Sequence, residues 1–199
     1  MSFRLLRNVG IVLGLGVMLS ACANNNPPPT RLPELSFRQM APLRLNVGRI
    51  EVVSNFTPVA QAPHIEYDMP IAPENAIKRW VQDRLQPVGR TGVLRVVIRD
   101  ASAVETQMKT DTGFTGMFKT EQASRIDMNA QISLQMLDDR QFVIAEVTGQ
   151  AAASHTTLEG QKLNARDRLL YDMVDQLVQD LNAQVDPNIR ANFGQWLAY

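Results

Sequence analysis

The chain has 199 residues, with 20 basic and 20 acidic side chains, one cysteine and an aromatic content of 6%. A balanced charge leaves no electrostatic footprint for nucleic acid, and a single cysteine excludes an intrachain disulfide. The length suits one domain with a real hydrophobic core.

The chain opens with Arg4 and Arg7, then an apolar run from Val9 to Leu19, then Leu19-Ser20-Ala21-Cys22. A charged start, a short apolar middle and small residues before a cut are the parts of a secretory signal. The run is about half of the ~20 residues that span a bilayer, and Gly10, Gly14 and Gly16 interrupt it. A cleaved leader over residues 1–21 is therefore expected rather than a transmembrane helix. The sequence Leu-Ser-Ala-Cys resembles the lipobox of bacterial lipoproteins. That resemblance implies diacylglycerol on the Cys22 thiol, cleavage before Cys22 and acylation of the new amine. It makes the membrane a partner through acyl chains. Ala23, where an aspartate would retain the protein in the inner membrane, resembles the signal for the outer membrane, with the domain in the periplasm.

Residues 22–42 are expected to be the lipidated cysteine and a linker. Asn24 to Asn26 and Pro27 to Pro29 cannot build a core, and the prolines favour an extended, semi-rigid spacer. A single domain is expected over residues 43–199.

Leu43 to Val53 reads as the first strand. Leu43, Leu45 and Val47 alternate, then the apolar phase slips to Ile50 and Val52, with Gly48 at the slip; a bulge is expected there. Ser54 to Ala72 is a proline-rich connection with a short extended piece around His64 to Met69. Pro73 opens a helix, where a missing N–H costs nothing. Glu74 suits its N-terminal dipole, and Ile77, Trp80, Val81 and Leu85 give it an apolar face. Pro87 and Gly89 end it. Leu94, Val96 and Ile98 mark a second strand that runs on towards Val104.

Arg125 to Leu137 is the clearest element. Ile126, Met128, Ala130, Ile132, Leu134 and Met136 occupy every second position between polar neighbours. One buried and one wet face imply an antiparallel sheet open to water on one side. Asp138-Asp139-Arg140 makes the turn and Phe142 to Ser154 returns. On the returning strand Val143, Ala145, Val147, Gly149 and Ala151 share a face whose small residues admit a close neighbour. A second helix is expected after Asn164 as N-cap, with Leu170, Met173, Val174, Leu177, Val178 and Leu181 as its stripe. Pro187 is expected to stop it and to open a short terminal helix bearing Ile189, Phe193, Trp196 and Leu197. The fold class is α+β: an antiparallel sheet of about four strands with two amphipathic helices packed on one face.

Sites of chemistry are sparse. His64 and His155 lack partners at metal-ligand spacing, so no metal and no cofactor are expected. No phosphate loop or nucleophile elbow is present. The acid pairs Asp138-Asp139 and Glu66/Asp68 read as turn formers and solubilisers rather than a general acid and base. No enzyme activity is expected. Trp80 and Trp196 fall on helical stripes and read as core. Lys109 to Gln122 joins two strands and carries Phe114, Met117 and Phe118 among glycines and threonines. These three are candidates for contact with a partner or lipid; the alternative is that they fold back over the open end of the core.

One layout unites these elements. A lipobox and spacer precede a strand, a helix with Ala76-Ile77-Lys78-Arg79-Trp80-Val81, a run of strands, a long helix and a terminal Trp196-Leu197. This resembles the ABC-transport auxiliary lipoproteins of Gram-negative envelopes, including accessory lipoproteins of mammalian-cell-entry-type lipid transporters. The lipopolysaccharide-assembly lipoprotein of the outer-membrane translocon has a similar plan. The resemblance implies a non-catalytic component of lipid transport or outer-membrane assembly, partnered by an envelope transporter or assembly proteins. A lipoprotein scaffold or activator of cell-wall synthesis enzymes is the alternative.

Overall fold

A computed structural model describes residues 32–108, 122–158 and 162–198. In chain order the elements are β1 (Leu43–Leu45), β2 (Arg49–Ser54), α1 (Pro73–Arg84), β3 (Leu85–Pro87), β4 (Val93–Asp100), β5 (Ala103–Gln107), β6 (Gln122–Leu137), β7 (Val143–Leu158) and α2 (Leu163–Asn192). Short 3-10 turns occupy Glu66–Asp68 and Gly194–Trp196. The architecture is α+β, with both helices packed against the sheet.

The main sheet has five strands. β4 and β5 follow one another along the same edge of β6. The pairing runs from Val93↔Leu137 to Ile98↔Ile132, slips by one residue at Asp100↔Gln131, and resumes from Ala103↔Met128 to Gln107↔Ser124. With β7 on the other edge of β6 and β2 beside β4, about four strands lie abreast. The pairings of β4, β5 and β7 with β6 are antiparallel, as expected. β2 joins β4 in parallel. The connection between those two strands contains α1, and a helical crossover returns the chain in its original direction.

The stretch read as one bulged strand is two strands in two sheets. β1 pairs in parallel with β3, Leu43 facing Leu85 and Leu45 facing Pro87, whereas β2 belongs to the main sheet. The apolar phase slip marks the crossing between them. Gly48 N–H lies 2.9 Å from Thr91 O and 3.0 Å from Gly92 O. A Cβ at Gly48 would sit 2.9 Å from the Arg90 carbonyl oxygen, so the crossing requires glycine. The C-terminal segment also reaches β1: Asn46 N–H donates to Trp196 O at 2.7 Å and Ala198 N–H to Arg44 O at 2.9 Å.

Core packing begins ahead of β1. Leu35 and Phe37 are buried, and the segment is pinned to α1 through Asp83, which accepts from Phe37 N–H at 2.8 Å and Ser36 Oγ at 3.1 Å. These donors and Arg38 hold the Asp83 carboxyl below its usual range despite the opposing effect of burial.

α1 starts at Pro73 and buries Ala76, Ile77, Trp80, Val81 and Arg84. It gives way to extended backbone at Leu85, two residues before Pro87, whose ring excludes further helix. α2 corrects two expectations. It begins at Leu163 with Lys162 as its N-cap residue, and Asn164 lies inside it. It also continues through Pro187 to Asn192, 30 residues in all. A helix-interior proline costs about 3 kcal/mol. Val185, Ile189 and Phe193 flank it and are fully buried, each contributing about 1.5–3 kcal/mol. The buried stripe therefore outweighs the lost backbone bond.

The expected face of β6 is observed: Ile126, Met128, Ala130, Ile132, Leu134 and Met136 are all buried. On β7 the matching positions are His155, Ala153, Ala151, Gly149, Val147 and Ala145. A Cβ built on Gly149 would lie 2.2 Å from Val185 Cγ2 on α2. The small residues thus seat the helix. Replacing Gly149 by valine is expected to cost about 1–3 kcal/mol through overpacking, measured by urea denaturation. Gly194→Ala, with nothing within 4 Å of the new methyl group, should stay within about 0.5 kcal/mol of the parent.

Candidate functional site

Cys22, Phe114, Met117 and Phe118 lie outside the described residues. Asp138 and the two tryptophans take structural roles. Asp138 forms the β6–β7 turn: its Oδ1 accepts from Arg140 N–H and Phe142 N–H, both at 2.9 Å. Gln141 beside it takes φ 67°. Trp80 is fully buried, and its Nε1–H donates to Asn182 Oδ1 on α2 at 3.0 Å. Trp196 packs edge-to-face with Phe193 at 5.9 Å. His155 is exposed on β7. Among the described residues no group of three His, Cys, Asp or Glu side chains is placed to hold a metal, and no helix is long and apolar enough to cross a membrane.

The wet face of the sheet carries a paired charge network. Arg49 meets Glu51 at 2.9 Å, Arg95 reaches Glu51 at 3.4 Å, Arg99 meets Glu146 at 3.0 Å, and Arg125 meets Asp127 at 2.8 Å. Glu146 also accepts from Ser133 Oγ and Gln135 Nε2. The Ser133 hydroxyl is the main cause holding the Glu146 carboxyl below its usual value. Arg49 does the same for Glu51, and Ser154 with Arg125 for Asp127. These four arginines are committed to carboxylates on the same face, so the network presents no row of free cations.

A second polar group links β5 to α2. Glu105 accepts from Ser124 Oγ at 2.6 Å and from Arg166 Nη2 at 2.8 Å. Burial alone would raise the Glu105 carboxyl; the two donors outweigh it and lower it.

The connection between β2 and α1 builds the site with unspent chemistry. Its extended piece is shorter than the expected His64 to Met69, because a 3-10 turn takes Glu66–Asp68: His64 bridges Val104 on β5, Ile65 N–H donates to Ala103 O at 3.0 Å, and Glu105 N–H donates to Pro63 O at 2.8 Å. The chain then turns at Glu66–Asp68 and buries Glu66 to 4% exposure. Glu66 Oε1 accepts from Ala103 N–H at 2.9 Å and pairs with His64 Nδ1 at 3.1 Å. With a carboxylate as acceptor, the ring nitrogen is the donor. Glu66 Oε2 is buried with no partner among the described residues. Glu66 lines a cavity of about 290 Å³ walled by Phe56, Pro58, Tyr67, Met69 and Ile71, with Glu74 of α1 alongside. The sequence presented Glu66 only as half of an acid pair. The available signal was its setting, beside Ile65, Tyr67, Met69 and prolines in a connection long for a plain turn.

No protein-family model and no curated protein matches the chain. Among solved structures, it is similar to a minor lipoprotein from Acinetobacter baumannii at 15% identity, covering 78% of this chain and 98% of that one, with a TM-score of 0.37. It is also similar to rare lipoprotein B from Shewanella oneidensis at 12% identity, covering 68% and 87%, with a TM-score of 0.32.

The Glu105 group makes a pH-dependent contribution of definite sign. A carboxyl lowered in the folded state stabilises above its unfolded pKa, about 4.3, and the gain is lost as pH falls through the folded value. Glu105→Gln is therefore expected to cost about 1–3 kcal/mol at pH 7 and progressively less below about pH 4. Urea midpoints across that range would reveal this; an equal loss at every pH would contradict the assignment.

Proposed function

We propose that the chain is a lipid-anchored lipoprotein of a Gram-negative envelope and a non-catalytic auxiliary component of lipid transport or outer-membrane assembly. The observation that carries the reading is Leu19-Ser20-Ala21-Cys22, with the only cysteine of the chain at the cleavage point behind a short apolar leader. Each buried methylene of an acyl chain contributes about 0.8 kcal/mol, and one chain alone binds a membrane marginally. Two or three chains on Cys22 fasten the domain to a leaflet. The asparagine- and proline-rich segment that follows spaces the α+β domain from the lipid surface. The domain then acts by contact with envelope proteins, and its ion-paired sheet face favours selective partners over anionic polymers.

Mass spectrometry of the native product is expected to find residues 1–21 removed and acyl groups on Cys22. Cys22→Ala should shift the protein from the membrane to the soluble fraction. An unmodified thiol or a retained leader overturns the anchor. Deletion should sensitise the envelope to detergent, and ordinary permeability in a clean deletion would remove the transport role while leaving the anchor intact.

A further inference from the structure

We infer that the cavity between the Glu66 turn and the start of α1 binds one cationic nitrogen, an amine or guanidinium on a short apolar stem, with Glu66 as its counter-ion. Four observations converge. First, Glu66 is held in place through Oε1 by Ala103 and His64, while Oε2 has no donor among the described residues. A buried carboxylate oxygen in that condition is costly unless a donor completes it. Second, Oε2 is the carboxylate oxygen left over, since His64 meets Glu66 on Oε1. Glu74, the other acid lining the cavity, is bonded to Lys78 Nζ at 2.7 Å, and among the described residues the lining contains no basic side chain. Third, the walls suit an apolar stem, and Tyr67, 66% exposed, offers a ring for a cation to stack on. Fourth, about 290 Å³ lies just below the range of sites for drug-sized ligands. It has room for a group of side-chain size.

The site is independent of acylation at Cys22, so it stands or falls apart from the proposed anchor. The cation has two possible sources: a free small amine, or a lysine or arginine side chain presented by another protein.

The test is nuclear magnetic resonance of the ¹⁵N-labelled full chain in mild detergent, read at the Ala103 amide that donates to Glu66. The probes are n-butylammonium and n-butylguanidinium, with n-butanol and butyrate as neutral and anionic counterparts. The cations are expected to give saturable shifts at Ala103 that the counterparts do not. Glu66→Gln should weaken binding at least about tenfold, the effect of a lost charge-assisted hydrogen bond. Tyr67→Ala, at an exposed position, should weaken it about two- to fivefold. Comparable binding of N-acetyl-lysine and N-acetyl-arginine methylamides assigns the site to a partner's basic side chain; binding of the bare cations alone assigns it to a free amine. Absence of a saturable cation shift overturns the inference. So does butanol or butyrate binding as tightly as the cations, or unchanged affinity in Glu66→Gln. If Glu66→Gln does not fold, the Tyr67→Ala result and the comparison of cations with butanol on the parent protein decide.

Discussion

A long helix lies against a strand that gives it almost no side-chain bulk to stand on, and the arrangement of the domain follows from that closeness. Where β7 passes under α2, Gly149 brings strand backbone to the Val185 side chain. Alanines at 145, 151 and 153 pack beside it against the core. Interiors are close-packed, so a gap of one methyl group matters on either side. The larger residues sit on β6, where Ile126 to Met136 supply the volume that β7 withholds. Large on one strand and small on its neighbour lets the helix lie low over the pair.

The second helix is tied to the first by a buried polar joint. Arg84 at the end of α1 donates to Asn182 Oδ1 at 3.2 Å and to Asp186 Oδ1 at 3.0 Å on α2, and Trp80 shares the same Asn182 oxygen. Burial lowers the Arg84 pKa, opposed by the Asp186 charge. Such a buried pair contributes little net stability over an apolar replacement, but breaking one side of it is costly. Its effect is to fix how far α1 slides along α2. Asp186 also meets Arg190 at 3.3 Å, which places this joint beside Pro187 and helps explain how the helix runs through it.

With one face of the sheet covered, the other is left to water and is stocked with charges that satisfy one another. The outer edge of β7 is managed as well. Gln184 on α2 reaches round to accept from Gln150 N–H at 3.1 Å, which occupies a backbone donor in the middle of a long edge and discourages pairing there. The Glu66 cavity stands apart from both devices. It is assembled from the long connection between β2 and α1, and among the described residues Glu66 Oε2 there and Arg84 Nη1 in the helix joint are the buried side-chain atoms without a partner.

The sequence by itself determined the elements whose periodicity is local: β6, its hairpin return, the stripe of α2, the start of α1, and the α+β class that follows from them. The proposed leader and the proposed acylation of Cys22 rest on sequence alone, since a signal is read as a linear string. Tertiary structure decided what depends on distant neighbours. Gly48 marks a change of sheet rather than a bulge because Arg90 and Thr91 lie against it. Pro187 stays helical because Val185, Ile189 and Phe193 have a core to enter. Glu66 becomes a buried acceptor only when Ala103 folds against it. In each case local propensity is worth a few kcal/mol at most, and burial against residues far along the chain is worth as much or more.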